Sequence, residues 1–282
     1  MSRILLRDKN LMKKHYSSMI SSGFGSFASK PFPQPIQKVI NHGYVKLMGL
    51  DMTAFDNPSN YLTLNKLFTR AFQVEKEITA DTSVMISPVD ALVTDYGEIK
   101  DGKAYQIKGM EYNLADMFGE HHKKAAEAVE GGEFVNLYLS PKDYHRYHTP
   151  DTLKINSLTH IPGKLYPVNF PLLRNKKNLF IENERVIIEC QDMSGNTFVM
   201  VLVGALNVGK MVVTFEENIN SNSDIREPQH YSYKNLTLKK GELFGWFEMG
   251  STILLFSQKG VFTPELAINQ KVSFAEPIGK IR

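Results

Sequence analysis

Beyond about residue 82 the chain carries short apolar runs separated by Gly, Pro, Asn and Asp, a pattern that predicts strands. Such runs span residues 91–94, 134–139, 185–190, 197–203, 210–215 and 251–257, and Asp192-Met193-Ser194-Gly195-Asn196 reads as the hairpin turn between two of them. One helix is expected in this region, at 114–129, and the Asn- and Ser-rich stretch 216–235 reads as an exposed loop. The segment from Phe247 to Phe256 looks like one hydrophobic strand interrupted by Gly250-Ser251-Thr252, where glycine would mark a bulge or a close backbone approach.

The first 80 residues are patterned differently. Ile4, Leu5, Leu6, Leu11 and Met12 interleave with basic residues; Ile36, Val39, Ile40, Val45, Leu47 and Met48 continue the theme, with Phe24, Phe27, Phe32 and several prolines between. Amphipathic helices that mix Lys and Arg with Leu, Met and Phe suit a membrane surface, although a helix packed on its own domain with a solvated basic face has the same pattern. A further helix is expected from Ser59, as N-cap, through Leu62, Leu64, Leu67, Phe68 and Phe72. The fold class is therefore α+β: a helical, membrane-associating N-terminal segment over residues 1–80 and a mainly β catalytic domain over 81–282.

Charge strengthens the division. Residues 1–50 hold eight Lys or Arg and a single acid, Asp8, a net +7 within a chain whose total is +3, so the body is slightly acidic and the arm calls for an anionic partner, membrane or nucleic acid. The single cysteine, Cys190, excludes an intramolecular disulfide and any multi-cysteine metal site, which fits a reducing compartment. The longest apolar run, 198–208, is about half of the roughly 20 residues a spanning helix needs. Met1–Leu6 followed by Arg7, Asp8 and Lys9 does not read as a secretory signal.

Polar chemistry concentrates in Ser140-Pro141-Lys142-Asp143-Tyr144-His145-Arg146-Tyr147-His148-Thr149-Pro150, a proline-bracketed loop after a strand. His145 and His148 could be a metal pair completed by Asp143 or a distant acid, a general acid/base pair, or solvated loop histidines. Asp90, in Ser87-Pro88-Val89-Asp90, sits at the mouth of an apolar strand, and His121-His122, beside Lys123 and Lys124, reads as solvated surface. Asp90, a histidine and Ser251 supply the acid, imidazole and hydroxyl of an activated nucleophile. Ser251 lacks the Gly-x-Ser-x-Gly context of an α/β-hydrolase, since Ile253 stands where the second glycine would be. Directly after a glycine, its hydroxyl is better placed to attack the preceding carbonyl than an external ester.

These residues carry a resemblance over nearly the whole chain to the phosphatidylserine decarboxylase proenzymes of prokaryotic type. It rests on Tyr61-Leu62-Thr63-Leu64-Asn65-Lys66-Leu67-Phe68-Thr69-Arg70, Ser87 to Asp90, the histidine loop Tyr138 to Pro150, Ile161-Pro162-Gly163, Asn178-Leu179-Phe180, Asn183-Glu184-Arg185-Val186, Leu202-Val203-Gly204-Ala205, Lys240-Gly241-Glu242 and Gly250-Ser251-Thr252, all in order. Met249 stands where the family more often has Leu, and Ala91 where Gly is common, which would strain the turn after Asp90 only if it needs φ > 0.

The resemblance implies two reactions. The precursor cuts itself between Gly250 and Ser251, giving a β chain (1–250) and an α chain (251–282) that stay associated, with Asp90 and His148 as the relay that activates Ser251. Ser251 thereby becomes a covalent pyruvoyl cofactor, with no metal required. That group forms a Schiff base with phosphatidylserine and accepts the electrons released as CO₂ departs, with His145 as proton donor, to yield phosphatidylethanolamine. The partner would be phosphatidylserine in an anionic membrane rather than nucleic acid, at the cytoplasmic face of the inner cell membrane, bound peripherally, with a homodimer one open assembly. A serine hydrolase using the same relay without self-cleavage, and a non-enzymatic membrane-binding module, are the competing readings.

Overall fold

Residues Thr197–Gly204 (TFVMVLVG) and Ser251–Ser257 (STILLFS) lack alternation between apolar and polar positions, so both of their faces must be covered. They pair side by side at the centre of an eight-stranded sheet in which every neighbour is antiparallel. The computed structural model describes residues 23, 25–106, 110–168, 176–206, 210–219, 221–223, 225–248 and 251–282. In chain order the strands are β1 Val84–Ile86, β2 Ala91–Glu98, β3 Lys103–Gln106, β4 Met110–Asn113, β5 Glu133–Leu139, β6 Arg146–His148, β7 Leu153–Ile161 and β8 Arg185–Gln191. After these come β9 Thr197–Gly204, β10 Met211–Val213, β11 Gln229–Leu238, β12 Leu243–Phe247, β13 Ser251–Ser257, β14 Phe262–Pro264, β15 Lys271–Val272 and β16 Pro277–Ile281. The large sheet runs β11-β7-β8-β9-β13-β5-β2-β15, and three smaller sheets run β10-β12-β6, β1-β16-β14 and β3-β4.

Every strand expected from the apolar runs is present, and β8 and β9 are joined by the expected hairpin. There Asp192 Oδ1 accepts from the backbone N–H of Ser194 and Asn196, and Gly195 takes φ 89°. The expected loop at 216–235 is corrected in its second half. Gln229–Leu238 is a strand on the edge of the large sheet, and its alternating half-exposure hides it among polar residues. The expected helix at 114–129 is broken in two, Leu114–Phe118 and Lys123–Ala128, by Gly119 at φ 78°.

The single strand expected from Phe247 to Phe256 is also corrected, whereas Gly250, where the bulge is expected, lies outside the described residues. β12 and β13 are two strands of different sheets. Ser251 opens its strand rather than interrupting one.

In the N-terminal part, residues 25–29 are helical and Gln34–Met48 forms a helix closed by Gly49 at φ 64°. The helix expected from Ser59 to Phe72 shrinks to Leu64–Phe68, with Thr63 rather than Ser59 as N-cap, its hydroxyl accepting from Lys66 N–H. The basic apolar positions 4–12 lie outside the described residues. Helix Gln34–Met48 packs Tyr44, with Ile40, Val45 and Met48, on a small apolar cluster, yet it also mixes polar and apolar positions on both sides. Its polar Gln37 and Asn41 are buried, linked to each other (2.8 Å) and, through Asn41 Nδ2, to the Pro58 and Tyr61 carbonyls, whereas Val39 and Leu47 are 74% and 79% exposed.

Candidate active site

Ser251 is fully buried, and its Oγ, like that of Thr252, has no hydrogen-bond partner. A buried hydroxyl left unpaired is costly, and such groups mark places where structure is spent on chemistry. The backbone that holds it is heavily supported. Ser251 pairs with Leu139 of β5 on one side and Gly204 of β9 on the other. Gly204 in turn gives its N–H to the Glu184 carbonyl (2.9 Å) and accepts from Asn183 Nδ2 (2.9 Å). Asn183 also holds Tyr166 through both its N–H and its carbonyl. Gly163 packs so closely here that a Cβ would stand 2.5 Å from Glu184 N. The Ile-Pro-Gly, Asn-Glu-Arg and Leu-Val-Gly-Ala motifs therefore converge on the strand partner of Ser251.

The histidine loop closes the site from the other side. Leu139 pairs with Ser251, and six residues on, the His145 carbonyl accepts from Phe247 N–H (2.9 Å), so segments 139–145 and 247–251 are tied together at both ends. Asp143 shapes the turn: its Oδ2 accepts from both N–H and Oγ of Ser140 (2.7 Å each). Neither histidine is solvated. His145 is completely buried, its Nδ1 gives its proton to the Asp143 carbonyl (2.8 Å), and its Nε2 is left as a bare, unpartnered lone pair. Burial pulls its pKa down to about 3, against the smaller upward pull of that bond. His148 gives Nδ1–H to the Gly241 carbonyl (2.9 Å) and accepts at Nε2 from Tyr144 OH (3.0 Å); burial holds its pKa at about 4.

Asp90 sits close to His148 in the chain's architecture without touching it. The His148 N–H bonds to the Pro88 carbonyl, Asp90 Oδ1 accepts from Phe274 N–H (2.7 Å), and the Phe274 ring lies on the His148 imidazole at 3.8 Å between centroids. Burial raises the Asp90 pKa, with the Phe274 bond opposing it. Asp90 reaches His148 only through Phe274, and Ser251 joins the histidine loop only through its backbone pairing with Leu139; no side-chain hydrogen bond joins any two of Asp90, His145, His148 and Ser251. Ala91 has negative φ, so the departure from Gly there carries no strain. Gly250 and Met249 lie outside the described residues.

Sequence reasoning assigned no role to the residues that clamp this loop. Phe68 packs on His145 (4.0 Å between centroids), Arg70 Nη2 donates to the Lys142 and Asp143 carbonyls, Arg146 Nε donates to the Thr69 carbonyl, and Tyr44 OH donates to the Pro141 carbonyl. Phe68, Thr69 and Arg70 lie in the Tyr61 to Arg70 motif and Arg146 in the histidine loop, whereas Tyr44 lies in neither. The reading of His121-His122 as surface is corrected for His122. It is buried between Glu189 (2.9 Å) and Thr159 (2.8 Å), and Thr159 meets His230 (2.8 Å), at the end of the sheet remote from Ser251.

The described site holds a serine hydroxyl that belongs to a strand of the central sheet and is closed to solvent, rather than a serine open at a surface. The family model for phosphatidylserine decarboxylase matches residues 64–280. The phosphatidylserine decarboxylase proenzyme of Helicobacter pylori is 43% identical over 265 residues, 94% of this chain and 97% of that protein. That of Campylobacter jejuni is 42% identical over 267 residues (93% and 98%), and that of Nitrosococcus oceani 34% over 251 (84% and 79%). The chain belongs to the phosphatidylserine decarboxylase family.

Proposed function

We propose that this chain is a precursor that cuts itself between Gly250 and Ser251 and then decarboxylates phosphatidylserine to phosphatidylethanolamine. The observation that carries this reading is the unpaired, fully buried Ser251 Oγ at the start of β13, one bond beyond the junction from β12. An external ester cannot reach that oxygen in the uncut chain, whereas the Gly250 carbonyl is covalently adjacent; nothing in the site favours the hydrolase reading.

Self-cleavage needs the Ser251 proton removed. A neutral imidazole lone pair does this, and burial keeps both His145 and His148 neutral at physiological pH. In the family pattern the base is His148, oriented with the help of Asp90. Here Tyr144 OH occupies its Nε2 and must yield, while Asp90 acts by fixing the Phe274 backbone whose ring packs on the imidazole. Addition of Ser251 Oγ to the Gly250 carbonyl moves that acyl group from nitrogen to oxygen as an ester. Loss of the Ser251 Cα proton then expels the Gly250 carboxylate, and hydrolysis of the resulting dehydroalanine releases ammonia. The pyruvoyl group that results supplies an electron sink for decarboxylation. Its position is that of residue 251, held by the Leu139 and Gly204 pairings. His145 Nε2, with no competing bond, is the group poised to take up a proton and return it to the carbanion.

The cut leaves the sheet intact. β13 is paired with β5 and β9 from the larger fragment, β15 with β2, and β16 with β1, so the two chains remain joined by hydrogen bonds along three strands. Access to a lipid falls to the N-terminal segment, where six of the eight large exposed apolar side chains of the described residues lie: Phe27, Ile36, Val39, Leu47, Leu62 and Val74. With Lys38 and Lys46 on the same helix, this is a face for peripheral docking on anionic lipid. No described helix is long and apolar enough to cross a membrane. Denaturing electrophoresis tests the reading: the wild-type chain resolves into a large and a small fragment, Ser251→Ala stays whole and inactive, and a wild-type chain that decarboxylates uncut rules the reading out.

A further inference from the structure

The molecule buries two arginines to different ends. Arg185 is fully spent: its guanidinium donates to the carbonyls of Met117, Ile181, Asn183 and Asp116, a structural knot. Arg70 is buried as deeply, 3% exposed, with its guanidinium over the Phe55 ring at 4.5 Å, but only Nη2 makes hydrogen bonds, to the Lys142 and Asp143 carbonyls; Nε and Nη1 have no hydrogen-bond partner. It forms no ion pair among the described residues, and burial pulls its pKa down despite Asp90 and Asp143 nearby. A desolvated cation with spare donors is among the costliest arrangements a fold can hold, and it is retained where an anion completes it.

Arg70 lines a cavity of about 470 Å³ together with Lys66, Arg146, Trp246 and Tyr61, and its carboxylates are Asp56 and Glu248, leaving an excess of cations. The cavity lies between the N-terminal segment and the catalytic body. Its walls lead both ways: Arg146 follows His145, and Glu248 belongs to the junction that processing severs three residues later. On the other side, Tyr61 precedes Leu62, which is 77% exposed on the apolar face. Acyl chains on that face and a reacting centre at residue 251 leave the region between for the linking oxyanion.

We propose that Arg70, with Lys66 and Arg146 supplying long-range attraction, seats the phosphodiester of the lipid headgroup. The inference rests on the decarboxylase reading. Arg70 acts on binding and not on the bond that breaks, because guanidinium hydrogen bonds to a phosphate oxygen are the same before and after CO₂ leaves.

The test uses processed full-length enzyme, wild type, Arg70→Gln and Arg70→Lys, with electrophoresis to establish processing before any kinetics. In Arg70→Gln, KM for phosphatidylserine in mixed micelles rises at least tenfold with kcat changed less than threefold, and Arg70→Lys recovers part of the loss. Glycerophosphoserine inhibits the wild type more strongly than inorganic phosphate does, and weakens about tenfold in Arg70→Gln, while inhibition by free serine is unchanged. Equal weakening of serine and glycerophosphoserine would show a strut for the loop carbonyls instead. Selective weakening of serine would put the carboxylate, not the phosphate, on Arg70. Inorganic phosphate inhibiting as tightly as glycerophosphoserine would make this a free-phosphate site; each of these three results overturns the proposal. A wild-type chain that neither cuts nor decarboxylates fails the underlying reading and not the Arg70 assignment.

Discussion

At the scale of single residues, two imidazoles three positions apart in the loop are given different freedom. Both carry their proton on Nδ1 against a backbone carbonyl, yet His148 Nε2 is capped by Tyr144 and His145 Nε2 is bare. The account assigns them different steps, so processing and turnover must separate by mutation. His148→Ala slows self-cleavage by about 100-fold or more, as loss of a general base does; Asp90→Ala, which removes the acceptor for Phe274 N–H, slows it to a smaller extent; His145→Ala cleaves but decarboxylates poorly. If His145→Ala instead remains one chain, the bare lone pair is the base and the assignments exchange. The pH dependence follows from the same burial. Folded pKa values of about 3 and about 4 lie below the ordinary 6.5, so the folded chain keeps both rings neutral where the unfolded chain protonates them. Self-cleavage of refolded precursor is therefore flat from pH 8 to about 5 and falls only near pH 4 as His148 gains a proton; a midpoint near 6.5 would mean that a solvated histidine is the base. The same sign gives a stability that is whole above pH 6.5 and erodes below it by up to about 1.4 kcal/mol per pH unit for each ring.

At the scale of elements, the site is built where a strand of the central sheet begins, and its precision comes from neighbours that carry no chemistry. Asn183 ties Tyr166 and Gly204 together with three side-chain hydrogen bonds, and Gly204 is the partner of Ser251. Asn183→Ala leaves a buried N–H and two carbonyls short of a partner, which costs about 2–4 kcal/mol, and it slows self-cleavage although it touches no reacting atom. A urea midpoint and cleavage rate equal to wild type would refute this supporting role. Much of this architecture is legible in the sequence. Unalternating runs such as 197–203 and 251–257 can only be central strands, and the Asp192 to Asn196 turn announces its hairpin. β11 is not legible, because an edge strand with one wet face looks like a polar loop when only composition is read. The β12–β13 junction misleads for a related reason, since two strands in different sheets are contiguous in sequence and equally apolar. For the site, residue types and order pick out Asp90, His145, His148 and Ser251, but no pattern along the chain reports that Tyr144 would cap one histidine, that Phe274 would stand between acid and imidazole, or that His122 would be buried.

At the scale of the whole molecule, the proposed function gives the N-terminal part to a lipid surface and the sheets to a closed reaction centre. Helix Gln34–Met48 buries Gln37 and Asn41 beside Tyr44 and leaves Ile36, Val39 and Leu47 exposed, a patch that an apolar partner would cover favourably. Val39→Asp with Leu47→Glu removes that face without touching the core. Binding to phosphatidylserine vesicles drops at least tenfold while self-cleavage is unchanged, and vesicle binding equal to wild type would remove the docking role. The central claim concerns the covalent structure of the chain itself, and intact mass spectrometry of the purified wild-type protein addresses it most directly. The account predicts two polypeptides, residues 1–250 with a free C-terminal carboxylate and residues 251–282 whose first residue has lost its amine and bears a pyruvoyl group. A single mass for all 282 residues in a preparation that converts phosphatidylserine to phosphatidylethanolamine would contradict it.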